Sequence, residues 1–284
     1  MSTSRDDVIP GLPERSILYV SATVHPDHPL HGVFRKHVDP KPDMDLGRVV
    51  ESSGPWIRRY FAEEVIDGTT AESLPSDLSP YRGLVVGCSL HYMNPERGEI
   101  APWQHRIMDL IRRAVDDYNL PFLGLCGGGQ IGLTAFGGRV GPNPIGAGIE
   151  ADQPGSLFVG ASPLELTAEG SADPLFKGCP RSFGMLGIHS DYLTEFPPGF
   201  TVLANSPDIP NQVLAYGDKV RLLGLHPEMS ATFVRGLTDV VIDTGGFGPY
   251  PKRILREVAT RIVPTPEANY HVVRNFLSEF CADK

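Results

Sequence analysis

"LPFLGLCGGGQ", residues 120–130, is the stretch that decides the fold. A short apolar run breaks off in a cluster of glycines, as a strand buried on both faces does when it ends in a turn. The spacing Gly124-x-Cys126-x-Gly128 is the cysteine version of the G-x-S-x-G nucleophile elbow, in which a sharp strand-to-helix turn holds the reactive side chain outward. Glycines are needed two before and two after because side chains there would collide with the neighbouring strand and helix. The helix start behind the turn offers unpaired N–H groups and a positive dipole end, which favour a thiolate at Cys126. The alternative reading of Cys126 is an inert thiol packed in a tight turn.

Upstream, "SILYVSA" (Ser16 to Ala22) and "GLVVGCS" (Gly83 to Ser89) are further short apolar runs that end at turn or polar residues. Between the second run and the cysteine, Ile107, Leu110, Ile111, Ala114 and Val115 are spaced to line one face of a helix. Strand, helix and strand form a right-handed crossover, so the expected architecture is α/β: an open, doubly wound, mostly parallel sheet flanked by helices. Chemistry in such sheets gathers at the carboxyl ends of the strands. Farther on the texture changes to short strands punctuated by Gly and Pro, which adds antiparallel strands. One pair lies in "NQVLAYGDKVRLLGL", with Gly217 and Asp218 at its turn. Ala268, Val272, Val273, Phe276, Leu277 and Phe280 line a final helix. With no internal repeat or long linker, residues 15–284 read as one domain behind a flexible lead-in of residues 1–14.

A nucleophilic cysteine needs a base, and the base needs an orienting group. "LLGLHPEM", residues 222–229, supplies the candidates. Pro227 disfavours helix at His226 and holds it extended, so His226 and Glu228, two apart, are expected to project to the same side of a strand end.

Composition limits the remaining options. The chain has 284 residues, 41% hydrophobic and 21% charged, which suits a globular fold with a sizeable core. No apolar run approaches the ~18 residues of a membrane span, and the N-terminus lacks the apolar stretch of a secretion signal, so a cytoplasmic location is expected. Cys88, Cys126, Cys179 and Cys281 form no CxxC pair and read as free thiols, with neither a metal site nor a disulfide framework. A net charge of -9 without a dense Lys/Arg cluster argues against nucleic acid or an anionic membrane as partner.

Four blocks in order, "GLCGGGQ", "FGGRVGPNPIGAGIE", "HSDYLTEFPPGFTVLANSP" and "GLHPE", closely resemble the class I (triad-type) glutamine amidotransferase family. The resemblance runs from about Gly83 to Met229. It implies a flavodoxin-like fold, with Cys126 as nucleophile, His226 as general base and acid, and Glu228 as the group that orients the histidine. It further implies that Gln130 helps hold the amino-acid end of the substrate, L-glutamine or a γ-glutamyl small molecule. It implies as well that the segment His189, Ser190 and Asp191 contacts the same end through its main chain around Ser190. Oxyanion donors are expected from the backbone of Gly127 and of Cys88 or Ser89.

The sequence departs from the family pattern near this site. Cys88, Ser89 and Leu90 stand where glycine and then Ser-Pro are usual. Gly129 replaces a larger residue, and Gly224 stands where glutamine is frequent; both suggest a roomier pocket. Neither a G-x-x-x-x-G-K-[ST] phosphate loop nor an ATP-pyrophosphatase signature is present, so no cofactor is expected and a separate synthase or acceptor protein would use the ammonia. Three readings compete. The first is a glutaminase that supplies ammonia to an acceptor enzyme. The second is a γ-glutamyl peptidase, hydrolase or transferase. The third is a catalytically weak binding or regulatory domain, disfavoured because all three triad residue types are present. His25, His28, His31 and His37 in "HPDHPLHGVFRKH" read as a solvated loop at the same sheet edge. His91 and Tyr92 are candidates for contact with a leaving or acceptor group. Residues 243–262 read as a surface addition or a docking element.

Overall fold

The computed structural model describes residues 8–28, 31–32, 43–71, 74–148, 152–244, 256, 260 and 266–283. Among them, eleven strands and six α-helices alternate as the sequence predicts. The strands are β1 (Ile17–Ser21), β2 (Ile66–Asp67), β3 (Gly83–Val86), β4 (Phe122–Leu125), β5 (Arg139–Pro142), β6 (Phe158–Leu166), β7 (Ser182–His189), β8 (Asp191–Glu195), β9 (Phe200–Asn205), β10 (Val213–Tyr216) and β11 (Val220–Leu223). The helices are α1 (Asp43–Ser53), α2 (Pro102–Arg112), α3 (Gly127–Ala135), α4 (Ala168–Ala172), α5 (Ala231–Thr244) and α6 (Pro266–Asn275).

Nine strands form one sheet in the order β2-β1-β3-β4-β11-β10-β9-β6-β7. Pairing is parallel from β2 to β11 and antiparallel from β11 to β7. β5 and β8 make a separate two-stranded ribbon. The parallel strands carry apolar residues on both faces: Ile17 and Tyr19 point to one side of the sheet, Leu18 and Val20 to the other. One side is covered by α1 through Leu46 and Val49, by α6 through Val272 and Val273, and by Phe276 and Leu277 in the helical turn that follows it. The other is covered by α2 through Trp103, Ile107, Leu110 and Ile111 and by α3 through Ile131 and Leu133. Helices on both faces make the sheet doubly wound. α2 begins at Pro102, and the Gln104 side chain reaches back to accept from the Ala101 N–H at 2.8 Å, which fixes where the crossover helix starts.

The predicted hairpin is present, with β10 and β11 antiparallel about Gly217 at φ 54°. The expected lead-in is held down at its end. Ile9 and Leu12 are buried, and the Ile9 N–H donates to the Tyr60 hydroxyl at 2.7 Å, because two apolar side chains close to β1 gain more by covering the core than by staying in water. Residues 245–255, most of the expected 243–262 addition, and His37 lie outside the described residues.

Candidate active site

Three neighbouring strands deliver the expected triad and oxyanion loop to one place. β3, β4 and β11 are adjacent and in register, with Val86 opposite Gly124 and Leu223 opposite Leu125. Gly87–Ser89, Cys126 and Gly224–Glu228 therefore leave the sheet side by side at its carboxyl edge. Cys126 occupies the turn itself, with φ 50° and ψ -108°, and its N–H donates to Leu223 O at 2.8 Å. A non-glycine residue with positive φ stores strain on the order of 1 kcal/mol or more, maintained here by packing on every side. Two glycines show why bulk is excluded. A Cβ on Gly128 would run into the carbonyl oxygen of Val86, and one on Gly127 into the backbone nitrogen of Ser89. The main chains of Gly127 and Ser89, two of the expected oxyanion donors, are thus in direct contact.

His226 and Glu228 are brought together: Nδ1 and Oε1 are 2.7 Å apart, and both side chains are buried. The route differs from an extended strand end. His226 makes a single bridge to Leu186, donating its N–H to Leu186 O at 2.8 Å, and the chain then turns, with Met229 N bonded to His226 O at 3.4 Å. Pro227 at the corner of this turn lets the two side chains converge without a continuing strand. With Nδ1 committed to the carboxylate, Nε2 is the ring nitrogen left for Cys126. Burial opposes a charged imidazole, yet a thiolate on Cys126 and the Glu228 carboxylate outweigh it and push the His226 pKa up to about 10. Burial likewise opposes the Glu228 charge, but His226 first and Arg48 with it hold that carboxyl below its ordinary value.

The Leu186 bridge also brings the far edge of the sheet back over the cysteine. Ile188 O lies 3.7 Å from Cys126 Sγ, and His189, Ser190 and Asp191 follow directly. Gln130, on the first turn of α3, donates from Nε2 to Asp191 O at 3.1 Å, so the expected pocket residues are linked to one another. Their supports were not singled out in the sequence. Asn143, fully buried, donates to Ser156 O and His189 O, contacts His189 Nδ1 at 3.1 Å, and gives its N–H to Ser190 O at 2.9 Å. Asp191 Oδ1 accepts from Arg97 Nε at 2.9 Å and Asn94 Nδ2 at 3.2 Å. Burial raises the Asp191 pKa against the pull of Arg97. His189 is pushed down to about 4 by burial, with His226 adding to the effect. Asn143 stands inside the "GPNP" block, so its neighbourhood was visible although its role was not.

Neither glycine expected to enlarge the pocket opens onto it. A Cβ on Gly129 would meet the Leu223 carbonyl oxygen, and one on Gly224 would lie 3.0 Å from Gln212 Oε1. Both positions face neighbouring backbone or side chain. The Cys88 thiol lies against Arg48 Nη2 at 3.4 Å and Thr23 Oγ1 at 3.9 Å.

The histidine loop is less solvated than its sequence suggests. His91 Nε2 accepts from the His25 N–H at 2.9 Å, the His28 and His91 rings are 4.7 Å apart, and the His25 ring stacks on Trp103. Together with Arg106 these rings line a cleft of about 460 Å³ beside the Ser89–Tyr92 loop. Burial lowers the pKa of His28 and, with help from His28 and His25, takes His91 down to about 4, so His28 and His91 are neutral near pH 7.

A doubly wound α/β sheet thus gathers a cysteine elbow, a buried histidine–carboxylate pair and a neighbouring main-chain loop at one edge, an arrangement that suits an enzyme. Residues 98–234 match the model of the glutamine amidotransferase class-I family. Relatives of the chain include a glutamine-hydrolysing GMP synthase component of Pyrococcus abyssi, 34% identical over 41% of this chain and 55% of that protein. A Pseudomonas gamma-glutamyl-L-1-hydroxyisopropylamide hydrolase is 26% identical over 75% of this chain and 70% of that protein. A glutamine amidotransferase structure from Methylobacillus flagellatus shares the fold with a TM-score of 0.64 at 19% identity, over 95% of this chain and 97% of that one. The match spans only about half the length of the Pyrococcus protein and 34% of a Thermomicrobium roseum GMP synthase. No described helix is long and apolar enough to cross a membrane.

Proposed function

We propose that this protein hydrolyses the side-chain amide of glutamine through a γ-glutamyl thioester on Cys126 and supplies the ammonia to a separate acceptor enzyme. The observation that carries the proposal is the buried His226–Glu228 pair set beside the Cys126 elbow on three adjacent strand ends. Raised proton affinity at His226 favours a thiolate–imidazolium pair before substrate binds. The thiolate attacks the γ-carbonyl, and the oxygen that becomes negative is received by N–H groups of Gly127 and of Cys88 or Ser89. His226 then gives its proton to the departing nitrogen, so the C–N bond breaks, ammonia leaves and a thioester remains. Water, losing a proton to the same imidazole, attacks the thioester and releases glutamate and the Cys126 thiolate. Gln130 and the His189–Asp191 segment hold the amino-acid end of the substrate, with Arg97, Asn94 and Asn143 fixing that segment.

A second reading has its own support: hydrolysis of a larger γ-glutamyl amide. The Pseudomonas relative, matched over most of its length, bears that kind of name, and the ring-lined cleft beside the Ser89–Tyr92 loop offers room for a departing amine. Glutamate release from L-glutamine and from γ-glutamyl amides, measured in parallel with Cys126→Ala as control, separates the two. Preference for glutamine supports the first reading and preference for the amides the second. Undiminished turnover by Cys126→Ala removes the nucleophile from both.

A further inference from the structure

We propose that Arg48 is a positioning residue for this reaction: from helix α1, its guanidinium ties the oxyanion loop to the carboxylate that orients His226. The inference rests on the thioester reading above and assigns a new part to a residue outside the triad and the glutamine pocket.

Arg48 is only 4% exposed. Its Nη2 donates to Cys88 Sγ at 3.4 Å, and its guanidinium lies 4.9 Å from the centre of the Phe233 ring on α5. It is also an electrostatic neighbour of Glu228 and of Tyr19 on β1. One turn farther along α1, Glu51 Oε1 accepts from Ser230 Oγ at 3.2 Å, so the same helix grips the chain just after Glu228. A buried cation costs several kcal/mol unless an anion compensates it. A thiol is a weak acceptor, and burial raises the pKa of both Cys88 and Tyr19, so both stay protonated and neutral. Glu228 supplies the anion. Its Oε1 is engaged by His226, while Oε2 is buried without a hydrogen bond among the described residues.

The charge balance gives the cation its function. A Cys126 thiolate and a His226 imidazolium cancel, which leaves the Glu228 carboxylate as one net negative charge in a dry site. Arg48 neutralises it. Without Arg48 the Glu228 carboxyl would hold its proton to higher pH. The contact to Cys88 Sγ adds a mechanical role, because Cys88 and Ser89 carry the expected main-chain donors.

The test compares the parent with Arg48→Met, Arg48→Gln and Arg48→Lys. It follows kcat and KM across pH, folding by circular dichroism, and labelling of Cys126 by a glutamine-mimicking electrophile. In the neutral variants kcat should fall at least ~30-fold with KM changed less than ~3-fold, and the acid limb of the rate profile should move up by about one pH unit, as expected for loss of a neighbouring opposite charge. Arg48→Lys keeps the charge but not the planar fork, so the limb should stay in place while kcat falls about ten-fold. A folded neutral variant with the parent's limb overturns the electrostatic role, and parental kcat in Arg48→Lys overturns the tie to the loop. If the parent itself neither turns over nor labels at Cys126, the thioester reading falls and this proposal with it. Labelling with an unmoved limb sinks this proposal alone.

Discussion

The Nδ1 atom of His226 lies 2.7 Å from Oε1 of Glu228, and the two side chains are 2% and 1% exposed. A hydrogen bond of this length in a dry interior fixes both the tautomer and the orientation of the ring. Glu228→Gln keeps the shape and loses the charge. On the proposed mechanism, kcat falls by about 10²-fold or more, as in other triads whose orienting carboxylate is made an amide. The check is glutamate release by a variant shown to melt as the parent does; a loss of less than about three-fold would remove Glu228 from the mechanism.

Cys126 has φ 50°, so its side chain is held at a backbone cost. Cys126→Ala and Cys126→Gly should both lack turnover. Of the two, the glycine variant should be the more stable by about 1 kcal/mol, because glycine adopts positive φ without the Cβ penalty. Denaturant unfolding of the pair reads the difference directly, and equal stabilities would mean that the elbow stores no strain.

Gly128→Ala places a methyl group against the carbonyl oxygen of Val86, which belongs to a central strand and cannot move aside. A loss of stability of about 2 kcal/mol or more is expected, within the range for overpacked sites. Gly137→Ala, at an open position in space, should cost no more than the strain of its own positive φ. Thermal melts of the two variants test whether packing or backbone conformation demands the elbow glycine.

His189 is buried with its pKa pushed down to about 4, whereas an unfolded imidazole titrates near 6.5. Between those values the unfolded chain binds the extra proton. The contribution to stability is therefore complete above the unfolded value and is lost as pH falls, by about 1.4 kcal/mol per unit until the folded value is passed. Melting temperature should decline from pH 6.5 to 4.5, and His189→Gln should flatten that slope. A parallel decline in the variant would assign the pH dependence to other groups.

Gln130 donates to Asp191 O, which joins the start of α3 to the segment expected to hold the substrate's amino-acid end. Gln130→Leu removes one buried hydrogen bond, worth about 1 kcal/mol, and should raise KM about five-fold while kcat changes less. Steady-state kinetics with L-glutamine distinguish this from a fall in kcat alone, which would place Gln130 nearer the reacting atoms.

The sequence by itself determined the local elements. Alternating burial on both strand faces, the 3.6-residue spacing of α2 and the glycines of the elbow are short-range consequences of chain geometry, so "LPFLGLCGGGQ" already specifies strand, turn and helix. "LHPE" likewise brings two side chains within reach, although it does so by a turn. Tertiary structure decided what no local spacing encodes. Parallel pairing of β3, β4 and β11 sets Cys88–Ser89, Cys126 and His226 side by side across more than a hundred residues of chain, and the Leu186 bridge carries the distant β7 end back over the thiol. The surroundings of Gly129 and Gly224, the Arg97–Asp191 pair and the buried Arg48 also depend on which elements pack together. Hydrophobic burial that selects those pairings is non-directional and long-range, so a charged residue such as Arg48 reads as surface in the sequence until packing encloses it.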